Sequence, residues 1–366
     1  MKRRDVLKSL PGIGAATLIA SPAVAQSAPK LNWRLVSAFP KSLDTLYGGA
    51  VHFAKLVAEA TDNNFNIKPF AAGEIVPGGG AAIDAVAAGT VEMCNTCSYY
   101  AIGKDPAFTF GTVLPFGLNP RQMNAWLAAG DGNKMLNEFY AGFNLYGLPA
   151  GNSGVQMGGW FRKEIKSVDD LKGLKFRVGG LAGRILQKLG VVPQMLSGGD
   201  VYPALERGAI DAVEWSGPYD DEKLGFHKVA KYYYYPGWWD GGTVISVMFN
   251  LNHWNELPNS YKAILAAAAA ETNTWMQAKY DAENPASLRR LVAAGALLRP
   301  FPNEVMDASL NAANELYQEI SAGNAAFKKM LESITSFRGD QYLWWQVAEY
   351  SFDSYQIRAR QAQQRK

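Results

Sequence analysis

The stretch from Trp33 to Phe70 reads WRLVSAFPKSLDTLYGGAVHFAKLVAEATDNNFNIKPF. It opens on Trp33-Arg34-Leu35-Val36-Ser37, an apolar run of strand length. Asp44 to Ala60 then reads as a helix, with apolar Leu46, Ala50, Phe53, Ala54 and Val57 at helical spacing. Phe65 to Phe70 is the next strand. Two strands joined through a helix of this size pair in parallel, which makes the chain an α/β protein. The alternation continues with a short helix over Gly79 to Ala88 and a strand over Val91 to Cys97. Asn119 to Phe143 reads as helix, broken near Gly130.

A second alternating set follows. Leu145 to Ala150, Gly154 to Phe161, Leu174 to Val178 and Ile210 to Trp215 are strand-like, with helices predicted over Gly183 to Leu189 and Val201 to Arg207. Thr243 to Asn250 is a further strand without a charged residue. Ala85 to Glu92 and Ala204 to Asp211 echo each other as helix end, glycine cap and strand entry. Lobe duplication and the general need for a glycine at such junctions both explain the echo. From Pro258 onward the pattern is nearly all helical. Ser260 to Ala294 is interrupted near Asn284-Pro285, and Asn303 to Ser321, Ala325 to Ser336 and Gly339 to Gln363 form three more helices. The last carries Trp344, Trp345, Tyr350, Phe352 and Tyr355, suited to core packing or to docking on a second subunit.

Length and composition agree with this picture. A chain of 366 residues fits two domains or one two-lobed domain, and 48% apolar with 19% charged residues excludes a disordered or fibrous chain. Mean hydropathy is −0.13, which argues against an integral membrane protein. Of 36 basic and 33 acidic residues, residues 1–25 hold four and one, leaving 32 of each in the remainder. A chain near neutrality has no electrostatic reason to bind nucleic acid. The basic excess belongs to an export signal. Lys2, Arg3 and Arg4 precede an apolar stretch from Leu10 to Ala20, and Ala23-Val24-Ala25 forms a small-residue cleavage site. Arg3-Arg4-Asp5-Val6-Leu7-Lys8 matches the twin-arginine type. The mature protein is expected to begin near Gln26 in the periplasm.

Enzyme motifs mostly fail. His52, His227 and His253 are dispersed, so neither a zinc site nor a Ser-His-Asp triad has support. Gly151-Asn152-Ser153-Gly154 lacks the last glycine of a nucleophile elbow, because position 155 is Val. Gly179-Gly180-Leu181-Ala182-Gly183 misses the dinucleotide spacing, and tight packing explains its glycines. Cys94-Asn95-Thr96-Cys97 is a C-x-x-C, but it lies in or just after a strand, where residues three apart face opposite ways. Buried free thiols, a structural disulfide and a redox pair all remain open. The redox pair and the export signal together support one rival function, a periplasmic oxidoreductase.

One constellation has clear chemistry. Arg177 sits inside an otherwise buried strand, with Phe176 and Val178 on the opposite face. A buried guanidinium needs an anion, and its planar fork suits a carboxylate. That anion is either a carboxylate ligand or Glu214, at the end of the strand Ile210 to Trp215. Strand ends of α/β lobes are where ligands bind. Tyr99 and Tyr100, just past another strand end, can line the first lobe or simply pack.

The chain resembles the extracytoplasmic solute receptors of tripartite ATP-independent periplasmic (TRAP) transporters over nearly its whole mature length. Its anchors are Ser167-Val168-Asp169-Asp170-Leu171-Lys172-Gly173-Leu174-Lys175-Phe176-Arg177 and Gly208-Ala209-Ile210-Asp211-Ala212. It is most similar to the branch that binds α-keto acids. That likeness is carried by residues 39–45, 155–161, 218–226 and 232–239, including Phe39-Pro40-Lys41-Ser42-Leu43-Asp44-Thr45 and the Trp238-Trp239 pair.

The resemblance implies a two-lobed α/β periplasmic-binding-protein-like fold with mostly parallel sheets, a long connecting helix and a C-terminal helical segment. Lobe 1 spans residues 26–149 and lobe 2 residues 150–242, each with part of 243–336, and residues 337–366 form a dimerisation element. Closure would hinge near Ala150 and Gly241-Gly242. The implied function is delivery of a small 2-oxo or 2-hydroxy monocarboxylate to the membrane subunits of the transporter, without catalysis. Arg177, Gln156, Trp215 and Tyr100 are the implied ligand-binding residues. A bridging Na⁺ or Ca²⁺ is implied at Gln156, Glu214, the Trp215 carbonyl and Asp240. The branch has Glu where this chain has Asp240, one methylene shorter. Charge supports the cation separately. Arg177, Glu214 and Asp240 together carry −1, and a carboxylate ligand would make a dry pocket −2, which would repel its own ligand. Oxygen donors favour a hard cation. Arg177→Ala is expected to remove binding without unfolding the protein.

Overall fold

A computed structural model describes residues 29–196 and 198–364, and the export signal read over residues 1–25 lies outside them. The Trp33–Phe70 stretch forms β1 (Leu31–Ser37), α1 (Leu46–Ala60) and β2 (Phe65–Phe70). β1 and β2 pair in parallel, with Trp33 opposite Ile67. α1 buries Leu46, Ala50, Phe53, Ala54 and Val57, the face its spacing predicts. α2 (Gly80–Ala87) leads into β3 (Met93–Thr96), which lies parallel to β1 on its other side. α3 (Pro120–Ala128) and α4 (Gly132–Ala141) follow, split around Gly130, and then β4 (Leu145–Asn152).

The second set comprises β5 (Gly159–Phe161), β6 (Lys175–Arg177), α5 (Ala182–Lys188), β7 (Val192–Gln194), α6 (Gly198–Glu206), β8 (Ala212–Val213), α7 (Pro218–Leu224) and β9 (Tyr232–Tyr235). The remainder is β10 (Val244–Asn250), α8 (Leu251–Glu256), α9 (Asn259–Ala293), β11 (Leu297–Pro300), α10 (Asn303–Gly323), α11 (Ala325–Val347) and α12 (Glu349–Gln364).

The strands make two sheets, ordered β2-β1-β3-β10-β4 and β11-β9-β5-β8-β6-β7. The antiparallel pairs have a topological cause. The chain leaves the first sheet through β4 and returns through β10, so those two neighbours run in opposite directions. β5 enters the second sheet and β9 leaves it, with the same consequence. Strand is confined to Gly159–Phe161 of the expected Gly154 to Phe161. Residues just before it cross between sheets instead, where Ser153 N–H donates to Thr243 O and Gln156 N–H to Asp240 O, both at 3.0 Å. The echoed junctions both carry a glycine in the left-handed region, Gly89 at φ 73° and Gly208 at φ 71°. A helix that ends with a C-cap of this kind favours glycine, so the capping requirement accounts for the echo.

Two helix boundaries differ from expectation. α9 runs unbroken through Pro285. The missing N–H costs about 3 kcal/mol, and burial of Tyr280, Ser287 and Leu291 on either side offsets it. α11 continues past Gly339 and the chain turns at Ala348, whose φ and ψ of −91° and −101° are not helical. Among the described residues no helix is long and apolar enough to cross a membrane.

One hydrophobic cluster joins the two sheets. Phe39, Leu46 and Tyr99 pack in it with Trp160, Trp215 and Tyr233, and α9 adds Met276 and Tyr280. Beneath it α7 is anchored by two buried carboxyls. Asp221 accepts from Trp160 Nε1 at 3.0 Å and Tyr233 OH at 2.7 Å, and Asp220 accepts from Tyr280 OH at 2.6 Å. Burial pushes Asp221 up to about 7 and Asp220 up to about 6 from an ordinary 3.8. The folded protein therefore binds more protons than the unfolded chain between about pH 4 and 7, and stability falls as pH rises through that window. For Asp221 the loss is on the order of 4 kcal/mol. The thermal midpoint of ligand-free protein should drop from pH 5 to pH 7.5, and Asp221→Asn should flatten the profile. A flat wild-type profile would mean that Asp221 is already ionised at pH 5.

Candidate functional site

A small cavity lies where strand ends of the two sheets face each other. Arg177, Gln156, Trp215 and Tyr100, all singled out from the sequence, line it. Glu214 and Asp240 are buried beside it, 1% and 4% exposed. None of the three histidines lines it. Phe39, Leu46 and Ile245 form an apolar wall that sequence reasoning missed as a lining. Leu46 lies on the buried face of α1 and Ile245 in a fully buried strand, so both read as core.

Arg177 alternates as its strand requires. Phe176 turns into an aromatic cluster with Phe161 and Trp239, and Arg177 turns the other way. Of the two expected anions, the structure shows Glu214. Nη1 donates to Glu214 Oε1 at 2.6 Å and to Glu214 O at 2.7 Å. Nε donates to Leu196 O at 3.3 Å, and the guanidinium lies 4.7 Å from the Trp215 ring centroid. Nη2 has no hydrogen-bond partner among the described residues. The internal ion pair uses Nη1, and among the described residues nothing occupies the Nη2 edge of the fork.

The carboxyls are under electrostatic strain. Glu214 Oε1 also accepts from Gly179 N–H at 2.8 Å, whereas the buried Oε2 has no partner. Burial raises Glu214, and the pull of Arg177 does not fully offset it. Burial and then the charge of Glu214 push Asp240 well up. A second buried carboxylate must hold either a proton or a cation.

Gln156 lies against Asp240 and the Trp215 carbonyl. Its Nε2 donates to Ser153 Oγ at 2.8 Å, and its Oε1 lies 2.5 Å from Trp215 O and 3.2 Å from Asp240 Oδ2. Turning the amide round would make two hydrogen bonds of those contacts. The turned amide would also accept from Thr243 Oγ1 at 3.2 Å and Ser153 Oγ at 2.8 Å, so it satisfies the site without an ion, while the oxygen-inward amide would serve a cation. Among the described residues no three His, Cys, Asp or Glu side chains cluster as metal ligands. The donors available are two carboxylates, an amide and a carbonyl, a hard all-oxygen set that fits Na⁺ or Ca²⁺.

Tyr99 packs over Gly179-Gly180. A Cβ at Gly179 would meet the Tyr99 hydroxyl at 3.0 Å, so packing explains this glycine pair. Cys94 and Cys97 are free, buried thiols that desolvation raises well above their ordinary range. A redox-active pair needs the opposite shift, so the thiols give the oxidoreductase reading no support.

Two α/β sheets closing over a small polar cavity at their strand ends define a two-lobed solute-binding protein. The particular family follows from comparison with known proteins. Residues 36–324 match DctP, the bacterial extracellular solute-binding protein family 7, and the chain belongs to that family. It is a periplasmic solute receptor of a TRAP transporter, as the resemblance implied. A monocarboxylate 2-oxoacid-binding periplasmic protein of Nostoc is 48% identical, covering 97% of this chain and 99% of the relative. A TRAP transporter solute-binding protein from Bordetella bronchiseptica is 50% identical with a TM-score of 0.89, covering 90% of this chain and 98% of the other. That structure is a mixed-occupancy dimer with copurified calcium and picolinate. A TRAP solute-binding protein from Pseudoalteromonas atlantica, with bound sodium and pyruvate, is 35% identical with a TM-score of 0.84, covering 89% and 99%.

Proposed function

We propose that this receptor binds a small 2-oxo or 2-hydroxy monocarboxylate together with Na⁺ or Ca²⁺ and hands it to the membrane subunits without chemical change. The observation that carries the reading is the pair of buried carboxyls, Glu214 with its unpartnered Oε2 and Asp240, beside the Gln156 amide and the Trp215 carbonyl. These four groups take the cation. The free Nη2 edge of Arg177 takes the ligand carboxylate, and the adjacent keto or hydroxy oxygen completes the cation's shell. Trp215 and Tyr100 flank the ligand. The 2-oxoacid-binding relative and the calcium- and sodium-containing structures support this choice of ligand and cation.

The lobes are residues 26–149 and 150–242, each completed from 243–336, with the hinge at the two crossings near Ala150 and Gly241-Gly242. The receptor forms a homodimer through residues 337–366. Leu343, Trp344, Val347, Tyr350, Phe352 and Tyr355 are all exposed there, and α12 buries no residue within its own chain. An apolar row of this size is otherwise costly in water.

The test is a thermal-shift screen of metal-stripped protein with pyruvate, lactate and picolinate, each with Na⁺, Ca²⁺ or chelator. A ligand that binds only folded protein raises its midpoint by mass action. The expected result is a shift for a 2-oxo acid that appears only with one of the cations. A shift equally large in chelator would overturn the cation bridge, and no shift with any acid would overturn the reading.

A further inference from the structure

We propose that Asp44 is a latch that fastens the Phe39–Leu46 wall over the cavity. Asp44 lies between β1 and α1, in the segment whose Phe39 and Leu46 line the cavity. Its carboxylate reaches across to the other half of the molecule. Oδ2 accepts from Tyr219 OH at 3.0 Å, and Oδ1 pairs with Lys223 Nζ. Tyr219 and Lys223 belong to α7, which follows β8 of the second sheet. Lys279 of α9 adds a third arm, with Nζ donating to Oδ2 at 2.8 Å and to the Asp44 carbonyl at 3.1 Å. The Lys223 ammonium stands 3.4 Å from the centroid of the Tyr219 ring, so the donors are packed against each other. Tyr219 N–H in turn donates to Asn284 Oδ1 at 3.0 Å, which ties α7 to α9.

A lone exposed ion pair contributes little. Here one carboxylate collects two ammonium groups that are themselves only 27% and 24% exposed, plus a phenol. Desolvation works against the charge, yet the hydrogen bonds from Lys223, Lys279 and Tyr219 hold Asp44 down to about 2. It is therefore ionised throughout the physiological range. The Tyr219 and Lys223 arms exist only while the two halves are together. They shift the open–closed equilibrium and, through it, the rate at which ligand escapes. The cluster touches no group assigned to ligand or cation. It rests on the receptor reading only in assigning the closed form to the ligand-bound state.

The test compares the mature receptor with Asp44→Asn, Lys223→Met and the double variant. Dyes on cysteines introduced by Lys68→Cys and Lys166→Cys report the distance between the halves by energy transfer, with no ligand needed. Stopped-flow release of pyruvate at saturating Ca²⁺ is the second readout. Each single variant should lower the closed fraction and speed release about tenfold. The double should do no more than Asp44→Asn alone, because that substitution already removes the partner of Lys223. Unchanged closure and release, or effects that multiply in the double, would overturn the latch. If the wild-type protein takes no 2-oxo acid, the receptor reading fails, and the distance readout still decides on Asp44.

Discussion

Arg177→Ala should abolish ligand binding and also destabilise the fold by about 3–5 kcal/mol. The sequence alone suggested loss of binding without loss of stability. The ion pair alters that expectation. Nη1 is committed to Glu214 at 2.6 Å, and both side chains are almost wholly buried. Removing the guanidinium leaves Glu214 facing Asp240 with no countercharge. Glu214 can escape by taking up a proton, since burial already raises its pKa. The stability cost should therefore be smaller at pH 5 than at pH 8, because protonation cancels the uncompensated charge. Arg177→Lys separates the two roles. A lysine restores the charge but not the planar fork, so stability should largely return while ligand affinity does not. Urea unfolding and isothermal titration measure the two effects independently. Ligand affinity within tenfold of wild type in Arg177→Ala would remove Arg177 from the site.

Asp240→Asn should act in opposite directions on the cation-free and cation-loaded protein. Without cation, the substitution removes a buried carboxylate that Glu214 repels, so stability should rise. With cation, it removes one of two formal charges in the donor set. Loss of a buried charge partner costs about 2–5 kcal/mol, or roughly 30- to 5,000-fold in affinity. Coulomb energy scales with the charge of the ion, so Ca²⁺ should lose more than Na⁺. Calorimetric titration of metal-stripped protein with each salt, at saturating pyruvate, reads both losses. Equal affinity for Ca²⁺ in wild type and variant would show that Asp240 does not face the ion.

Much of the fold was legible because its signals are local. The period of α1 placed Leu46, Phe53 and Val57 on one buried face. Strand alternation turned Arg177 away from Phe176, and the helix-to-strand junctions at Gly89 and Gly208 were readable from the glycine their caps favour. The chemistry of a buried arginine also belongs to the sequence itself. These features depend on neighbours within a few residues.

Tertiary structure alone decided the rest. The strand expected from Gly154 shrank to Gly159–Phe161 because the residues before it bond to Thr243 and Asp240 of the returning chain. α9 passes Pro285 because packing on both sides outweighs one missing hydrogen bond. The division of the Arg177 fork between Glu214 and the cavity depends on where β6 and β8 sit side by side. The meeting of Asp44 with Lys223 and Lys279 brings together residues far apart in the chain. Sequence periodicity tells each residue which way to face, but only the closing of two sheets on one another determines what it faces.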